Sequence, residues 1–546
     1  FFMIYILLSL IVLIPVFVGF GEIFQKTFGR FSFGIAAKIF TGMLTVSVIW
    51  TIFSFFTPLN IAIELSTVSV GLIAFFTYGV YDKFWQFLRG VNRSFYILGL
   101  VTVFFAAYAP FILDHFGYYI PTIKWIAEVG LVQGISNLDL LLGQISVWHI
   151  LQGGFSHFSD PFLRLNAVAG IAYLIYIYEK NVWIHLVFLP FLFLFIQSPS
   201  PDFPAVVFSL IILSEVLRGP KNPGLLFTFS VLVFAIKPTM IWLPIFVVMY
   251  VLFLSKSSFK VLAPGIILLC VFLFKTVWAF GYPVFPVQVF DLGFSWKPNE
   301  ELLENSAQMA VQKTYDMKFT AAEIENFSLL DRIKNWLFLD GIKGKIHLLF
   351  IISIFVFLIY AIKKNSKLIW LLFIAVFIKI VMVLVFSAQY RFFLDVFFVI
   401  ALVLFYQKFS QKTPLMIFAV LSVLLGVFLS FPNVLKTAVP TFRPGNFMTG
   451  FKTEQLYKPY HFKLEKFKTY QLGNLRFNVV QNYPFSFDTP LPAISPQFIQ
   501  EDLDAGIFPQ LKGKTLKEGF IWRNISEEEK IQIQKILDEW AAENHE

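Results

Sequence analysis

Phe111–Asp160 reads FILDHFGYYIPTIKWIAEVGLVQGISNLDLLLGQISVWHILQGGFSHFSD. A long apolar run ends as this stretch begins. Its first polar residue is a carboxylate, Asp114, followed by His115 and then by Tyr118 and Tyr119. Pro121 and Gly130 bracket a short apolar segment as the start and stop signals of a helix. Lys124 and Glu128 interrupt Ile123, Trp125 and Ile126, a pattern that predicts a helix lying on a membrane surface rather than crossing it. An acid at the mouth of a membrane span, beside such a helix, is a place for chemistry. The plain alternative is a solvated loop whose acid only marks the end of a span.

Outward from this stretch the chain is apolar. Of its 546 residues, 58% are hydrophobic and 14% charged, whereas soluble domains carry about 25% charged residues. The sequence therefore predicts an all-α polytopic membrane protein. A span takes about 20 apolar residues, and on that criterion about fourteen transmembrane helices are expected between Met3 and Phe431. The net charge of +9 is no nucleic-acid signal, because the Lys and Arg residues fall largely in short loops between apolar runs. The single cysteine, Cys270, excludes a disulfide or a cysteine-based metal site within the chain. The first apolar run has neither a basic leader nor a small-residue cleavage site, and is not read as a signal peptide.

Every second loop is basic. Lys26 and Arg30, then Lys83, Arg89 and Arg93, then Arg218 and Lys221, then Lys363, Lys364 and Lys367 belong to one set. The alternating loops Thr57–Asn60 and Ser198–Pro201 carry no Lys or Arg. The positive-inside rule puts the first set in the cytoplasm and both chain ends outside it. Three regions follow: an N-terminal three-helix membrane segment (1–93), a membrane core (94–431) with outer loops 114–164 and 281–345, and a small α+β extracytoplasmic C-terminal domain (432–546). In that tail, Ser526 and Glu529 form a capping-box pattern ahead of Ile531, Ile533, Ile536 and Leu537.

Ionisable residues at or inside spans are costly, so each is a functional candidate. Most are expected at the outer face: Asp114, Asp160 with Arg164, Asp202, Lys237, Lys275, and Arg391 with Asp395. The structural alternative for each is snorkelling of a long side chain or a local ion pair, such as Arg391 with Asp395 one helical turn on. Lys379 lies in mid-span with no acid in its own segment. As a set these residues have chemical sense. Lys237 and Arg391 near the headgroup layer suit a lipid phosphate, and a carboxylate beside them suits a general base. The pairing predicts transfer of a group from a lipid phosphate to an acceptor outside the cytoplasm. No G-x-S-x-G elbow and no H-E-x-x-H pair occurs, and His115, His149 and His157 share a loop at irregular spacing. A transporter should show charges near mid-membrane and broken helices in matched halves. Lys379 is the one clear mid-span charge.

Several of these segments carry a resemblance. The Y-x-P-T-I-K-W-I core and the G-L-V-x-G-x-S-N-L-D run after Asp114, Ser198-Pro199-Ser200-Pro201-Asp202, Ile236-Lys237, Gly281–Pro286 (GYPVFP) and Arg391-Phe392 are similar to a family of bacterial membrane proteins named after a Leptospira member, LIC 10190. In the tail, Pro490-Leu491-Pro492, Leu511-Lys512-Gly513 and Gly519-Phe520 also fit. That family in turn resembles the GT-C glycosyltransferases, multi-span enzymes that use polyprenyl-phosphate-linked sugars. The resemblance implies a bacterial inner-membrane glycosyltransferase. Its donor would be a polyprenyl-phosphate sugar, and its acceptor a glycan or protein outside the cytoplasm. Asp114 would be the catalytic base. Lys237 and Arg391 would hold the phosphate, Asp202 would orient the donor or a divalent cation, and His115, Tyr118 and Tyr119 would line the substrate site. The chain departs from the GT-C pattern in having a lone Asp114-His115 instead of an acidic pair, and three spans ahead of the usual first helix. It also lacks the cysteines expected near Pro-Leu-Pro. A transporter, flippase or polysaccharide polymerase, and a structural subunit of an envelope assembly, are the alternative readings.

Overall fold

The computed structural model describes residues 3–220, 222–438, 449–460 and 466–543. Lys221 of the expected cytoplasmic set lies outside them, as do parts of the tail. The chain is mostly helical. In order come α1 (Ile4–Phe28), α2 (Ile35–Ser54), α3 (Ile61–Thr77), α4 (Val80–Gly90), α5 (Arg93–Ala106), α6 (Ile120–Glu128), α7 (Val147–Gly154), α8 (Leu165–Lys180), α9 (Ile184–Leu192), α10 (Asp202–Leu217), α11 (Pro223–Ile236), α12 (Trp242–Met249) and α13 (Ala263–Phe280). The long loop holds α14 (Glu300–Thr314), α15 (Ala321–Glu325) and α16 (Leu329–Leu337). Then follow α17 (Gly341–Lys364), α18 (Lys367–Phe386), α19 (Leu394–Phe405), α20 (Lys412–Ser430) and α21 (Pro432–Ala438). The tail pairs β1 (Phe467–Leu472) with β2 (Leu475–Val480), adds α22 (Pro496–Asp504), pairs β3 (Ile507–Leu511) with β4 (Phe520–Asn524), and closes with α23 (Glu527–Glu543). Both strand pairs are antiparallel.

Among the described residues six helices are long and apolar enough to cross a membrane, and a seventh results if α3 and α4, bent by 79° at their junction, count as one span. The expected fourteen do not appear at that length. Five further apolar helices of 10–17 residues lie in the core. Prolines shorten this region: Pro190 sits inside α9, Pro238 separates α11 from the next helical turn, and Pro223 opens α11.

The N-terminal helices pack by close backbone approach. A Cβ at Gly19 would strike the Gly71 carbonyl, and one at Gly42 would strike the Phe17 carbonyl. Small residues at these crossings are what apolar surroundings favour, since van der Waals contact replaces the hydrophobic drive there. The segment is not set apart: α2 also packs on α7 and α8, and one apolar core runs from Met3 to Leu537. Glu64 on α3 is fully buried and accepts backbone N–H bonds from His157, Phe158 and Ser159, at 3.0, 3.1 and 2.6 Å at the nearest oxygen. A buried carboxylate costs little when the backbone satisfies it in this way, and it ties the loop before α8 to α3.

The two ends of the bundle differ chemically. At one end the basic loops meet: Arg218 donates to the Lys180 carbonyl and to the Tyr406 hydroxyl (3.1 Å), and Ser94 bonds the Tyr178 hydroxyl at 2.6 Å. At the other end the tail docks on the segment after α6, the loop after α13 and the end of α2. Phe520 N donates to the Gln133 carbonyl at 2.9 Å, Trp522 Nε1 to the Lys297 carbonyl at 3.0 Å, and Lys517 Nζ to the carbonyls of Ser54 and Leu131 at 2.9 Å. The capping box at the head of α23 is present: Glu529 N donates to Ser526 Oγ (3.3 Å) and Ser526 N to Glu529 Oε2 (3.0 Å).

The helix expected to lie on a membrane surface is instead enclosed by protein. In α6, Ile120–Ile123 and Trp125–Ala127 are buried. One side of the helix meets α7. On the other, Lys124 donates to the Asp488 carbonyl of the tail and the Trp125 ring meets Phe520 edge-on at 5.8 Å. Amphipathicity announces two faces but not what covers the apolar one.

Candidate functional site

At the end of the bundle where the tail docks, four short segments converge: the turn after α5, the Ser198–Asp202 connection, the end of α11 and the turn before α19. Asp202 is the first residue of α10, and Lys237 caps the C-terminus of α11. Each charge is favoured there by the helix end it occupies. The two form an ion pair, with 22% and 13% of their side chains exposed. The connection holding Asp202 is pinned by Asn166 of α8, a fully buried amide whose Nδ2 donates to the carbonyls of Phe195 (3.0 Å), Ser198 (2.6 Å) and Ser200 (3.0 Å). Ser200 Oγ donates to Asp202 Oδ2 at 3.2 Å.

Asp114 and Arg391 form a second, looser pair. Arg391 Nη1 lies 3.4 Å from Asp114 Oδ2, and the side chains are 45% and 35% exposed. Phe392 stands between the two pairs: the Arg391 guanidinium is 5.0 Å and the Lys237 ammonium 6.0 Å from its ring. Tyr118 and Tyr119 are buried behind Asp114, with ring centroids 4.6 Å apart. Burial pushes the Tyr118 phenol well above its ordinary range, the Asp114 and Asp202 charges add to this, and Arg391 opposes it. Tyr119 is pushed up by burial in the same way and is hydrogen-bonded to Ser200. Both phenols therefore stay protonated as hydrogen-bond donors. His115 Nδ1 is 3.0 Å from Ser198 Oγ, so it braces the same connection. Asp114, His115, Tyr118, Tyr119, Asp202, Lys237 and Arg391 are thus neighbours, linked through Ser198, Ser200 and Phe392.

Other charges go elsewhere. Lys379 of α18 has a partner after all, Asp395 of α19, in a pair only 1% and 3% exposed; the other oxygen of Asp395 accepts from Trp242 Nε1 at 2.8 Å. Asp395 is therefore not the partner of Arg391. Lys379 is close enough to Lys237 and Asp202 for their charges to act on it. Lys275 is buried and donates to the Ile145 carbonyl. Arg164 is spent on the carbonyls of Ala106, Phe162 and Tyr460, each at 2.8 Å, and Asp160 accepts from Gln152 (3.0 Å) and from Arg164 N (2.6 Å). These two hold the loop in shape. Asn166 carries no charge, so its signal in the sequence is a lone amide inside an apolar helix, and that of Glu64 is a carboxylate in the first turn of an apolar one.

Ca²⁺ and Mg²⁺ take six or more oxygen ligands, waters included, and Zn²⁺ takes four ligands from His, Cys and carboxylates. Asp114 and Asp202 are each matched by a cation, and among the described residues no group of three His, Cys, Asp or Glu could hold a metal. His115 and His157 bond to different elements, the latter to the Leu59 carbonyl at 2.9 Å.

No curated protein matches the chain, and no solved structure does. A family model does match, over residues 3–398, from α1 into α19 and including every residue of the two ion pairs at the mouth. The chain belongs to the family described as Domain of unknown function (DUF8201).

Proposed function

We propose that the protein is a GT-C-like membrane transferase that moves a sugar from a polyprenyl-phosphate donor to an acceptor hydroxyl. The observation that carries the reading is the Asp114–Arg391 pair: half-exposed, made by one 3.4 Å contact, and set beside a second carboxylate–cation pair. A donor phosphate can replace Asp114 on Arg391 through two parallel N–H···O bonds, which a guanidinium offers and an ammonium does not. The carboxylate is then free to take a proton. The acceptor oxygen forms a bond to the anomeric carbon, the bond from that carbon to the phosphate oxygen breaks, and its electron pair leaves with the lipid phosphate. The acceptor proton passes to Asp114, and the anomeric centre inverts. Asp202 holds Lys237 in place through their ion pair, and Tyr118 and Tyr119 offer O–H donors.

In this reading the chain crosses a bacterial inner membrane about fourteen times, counting the shorter helices as tilted or partial spans. The basic loops face the cytoplasm, and the tail lies outside with the site. The acceptor is a glycan or a protein. A transport reading draws on the Lys379–Asp395 pair, which extends charge from the mouth into the helices. Both Asp395 oxygens are already bonded, however, and the pair is almost fully enclosed, which favours a role in holding α18 to α19 and α12. The test is to incubate the purified protein in lipid nanodiscs with a polyprenyl-phosphate sugar and follow release of polyprenyl phosphate. Release that depends on an added acceptor and yields an inverted product supports the transferase. Movement of intact donor between leaflets with no release would replace it by a flippase.

A further inference from the structure

The outer loop 281–345 brings another cation to this mouth. Lys313 sits in the last turn of α14, and that turn is bonded to the segment leading into Arg391. Ser387 Oγ donates to the Ala310 carbonyl at 2.7 Å, and Ala388 N donates to Thr314 Oγ1 at 3.1 Å. Trp336 Nε1 of α16 adds a bond to the Ala388 carbonyl at 2.8 Å. Near the other end of α14, Leu303 is buried against Leu140, Phe280 and Tyr282. The helix is therefore anchored at both ends over the Arg391 turn. Lys313 lies within electrostatic reach of Arg391, Asp114 and, from the tail, Glu501. Among the described residues its ammonium belongs to no ion pair, whereas Asp114 and Arg391 are held by each other.

Lys313 thus shares the rim with Arg391, and partial burial with Arg391 nearby pulls its ammonium toward losing its proton, against the attraction of Asp114 and Glu501. An anion arriving between Arg391 and Lys313 would relieve both. We propose that Lys313 is a second phosphate-binding residue of this site and that it holds the leaving phosphate more strongly than the donor. The inference rests on the transferase reading. Its reason is charge. A sugar phosphodiester lipid carries one negative charge; once the bond from the anomeric carbon to the phosphate oxygen breaks and the electron pair stays on that oxygen, the phosphomonoester carries about −1.5 to −2. A cation at the rim gains most from the charge that develops during the step, which is the interaction that accelerates it. Arg391, with its planar fork, reads the phosphate in both states; Lys313, a point charge, answers to the added charge.

The experiment measures binding of undecaprenyl phosphate and of an undecaprenyl-phosphate sugar to the full chain in nanodiscs, with inorganic phosphate as a third probe. The contacts that anchor α14 are made by Ala310, Thr314 and Leu303 and not by Lys313, so Lys313→Gln should fold as the parent does. The expected result is that Lys313→Gln weakens undecaprenyl phosphate roughly tenfold and the sugar-linked lipid by clearly less, with Lys313→Arg close to the parent. Equal, unchanged binding of both lipids by Lys313→Gln, alongside weakened binding by Arg391→Ala, overturns the role of Lys313 and leaves the transferase reading standing. A parent that binds neither lipid removes that reading and this inference with it. Inorganic phosphate bound as tightly as the lipid would assign the site to a soluble phosphate and overturn the lipid-borne leaving group.

Discussion

The Arg391 guanidinium lies 3.4 Å from the Asp114 carboxylate across 277 positions of sequence, while Asp395, one helical turn from Arg391, is bound instead to Lys379 and Trp242. The first pair is exposed and loose, the second closed and dry. They should respond to mutation in opposite ways. Arg391→Ala is expected to leave thermal stability near that of the parent, since exposed ion pairs contribute about 0–1 kcal/mol, while weakening donor binding by roughly tenfold or more.

Asp395→Ala is expected to act through the fold. Removing one partner of a buried pair strands the other charge and costs on the order of 3–5 kcal/mol. Replacing both partners, as Lys379→Met with Asp395→Leu, should recover part of that loss. Thermal unfolding in detergent checks both. Equal donor-binding defects in Arg391→Ala and Asp395→Ala, with no difference in stability, would contradict the separation.

Asn166→Leu is expected to leave the carbonyls of Phe195, Ser198 and Ser200 without their shared donor, at a cost of about 1–3 kcal/mol, and to loosen the connection that presents Asp202. The measurable outcome is faster backbone amide exchange in 198–203 than in the parent, with the α8 amides unaffected. Unchanged exchange there would mean that the proline-rich connection keeps its shape unaided.

The docking of the tail should depend on pH. Asp139 of the loop after α6 and Asp502 of α22 are both buried, and each is near enough to influence the other. Burial pushes Asp139 up to about 8, with Glu501 adding to it and the backbone N–H groups of Leu141 and Leu142 opposing. Burial pushes Asp502 well above the carboxylate range, and the Glu501 and Asp139 charges add to this. Because the folded values exceed the unfolded ones, the contribution of these groups is fully present below the unfolded carboxylate range and is lost as pH rises through about 8. Lys517, drawn down to about 8 by burial, works in the opposite direction, so the carboxyl component has to be isolated by a variant. Amide exchange of 496–511, corrected for intrinsic rates, should rise between pH 6 and 9 in the parent and rise less in Asp502→Asn. The same rise in both would remove the carboxyls as its cause.

Much of this architecture could be read from residue pattern alone. The apolar runs, the alternation of basic loops, Pro121 at the head of α6 and the Ser526/Glu529 capping box are local signals, and local signals survive in the structure. What pattern could not supply was pairing. Lys379 has no acid in its own segment because its acid lies on the next helix, and nothing in the spacing around Lys313 points to Arg391. The burial of α6 was hidden for a similar reason, since its cover comes from the tail more than 350 residues later (Lys124 to Asp488 spans 364 positions). The shortness of the core helices reflects prolines and polar clamps such as Asn166, which interrupt runs that hydropathy alone joins.

In the proposed reaction Asp114 takes the acceptor proton while Arg391 holds the phosphate. The most direct measurement is turnover and donor affinity in Asp114→Asn, determined separately on the same purified preparation. Asn keeps the size and polarity of Asp but cannot accept a proton, so only the transition state loses stabilisation. Sugar transfer should be slowed by roughly 10²–10⁴-fold, with donor affinity unchanged or tighter, because Arg391 no longer has a competing carboxylate. An Asp114→Asn protein that transfers sugar at the parental rate would contradict this role of Asp114.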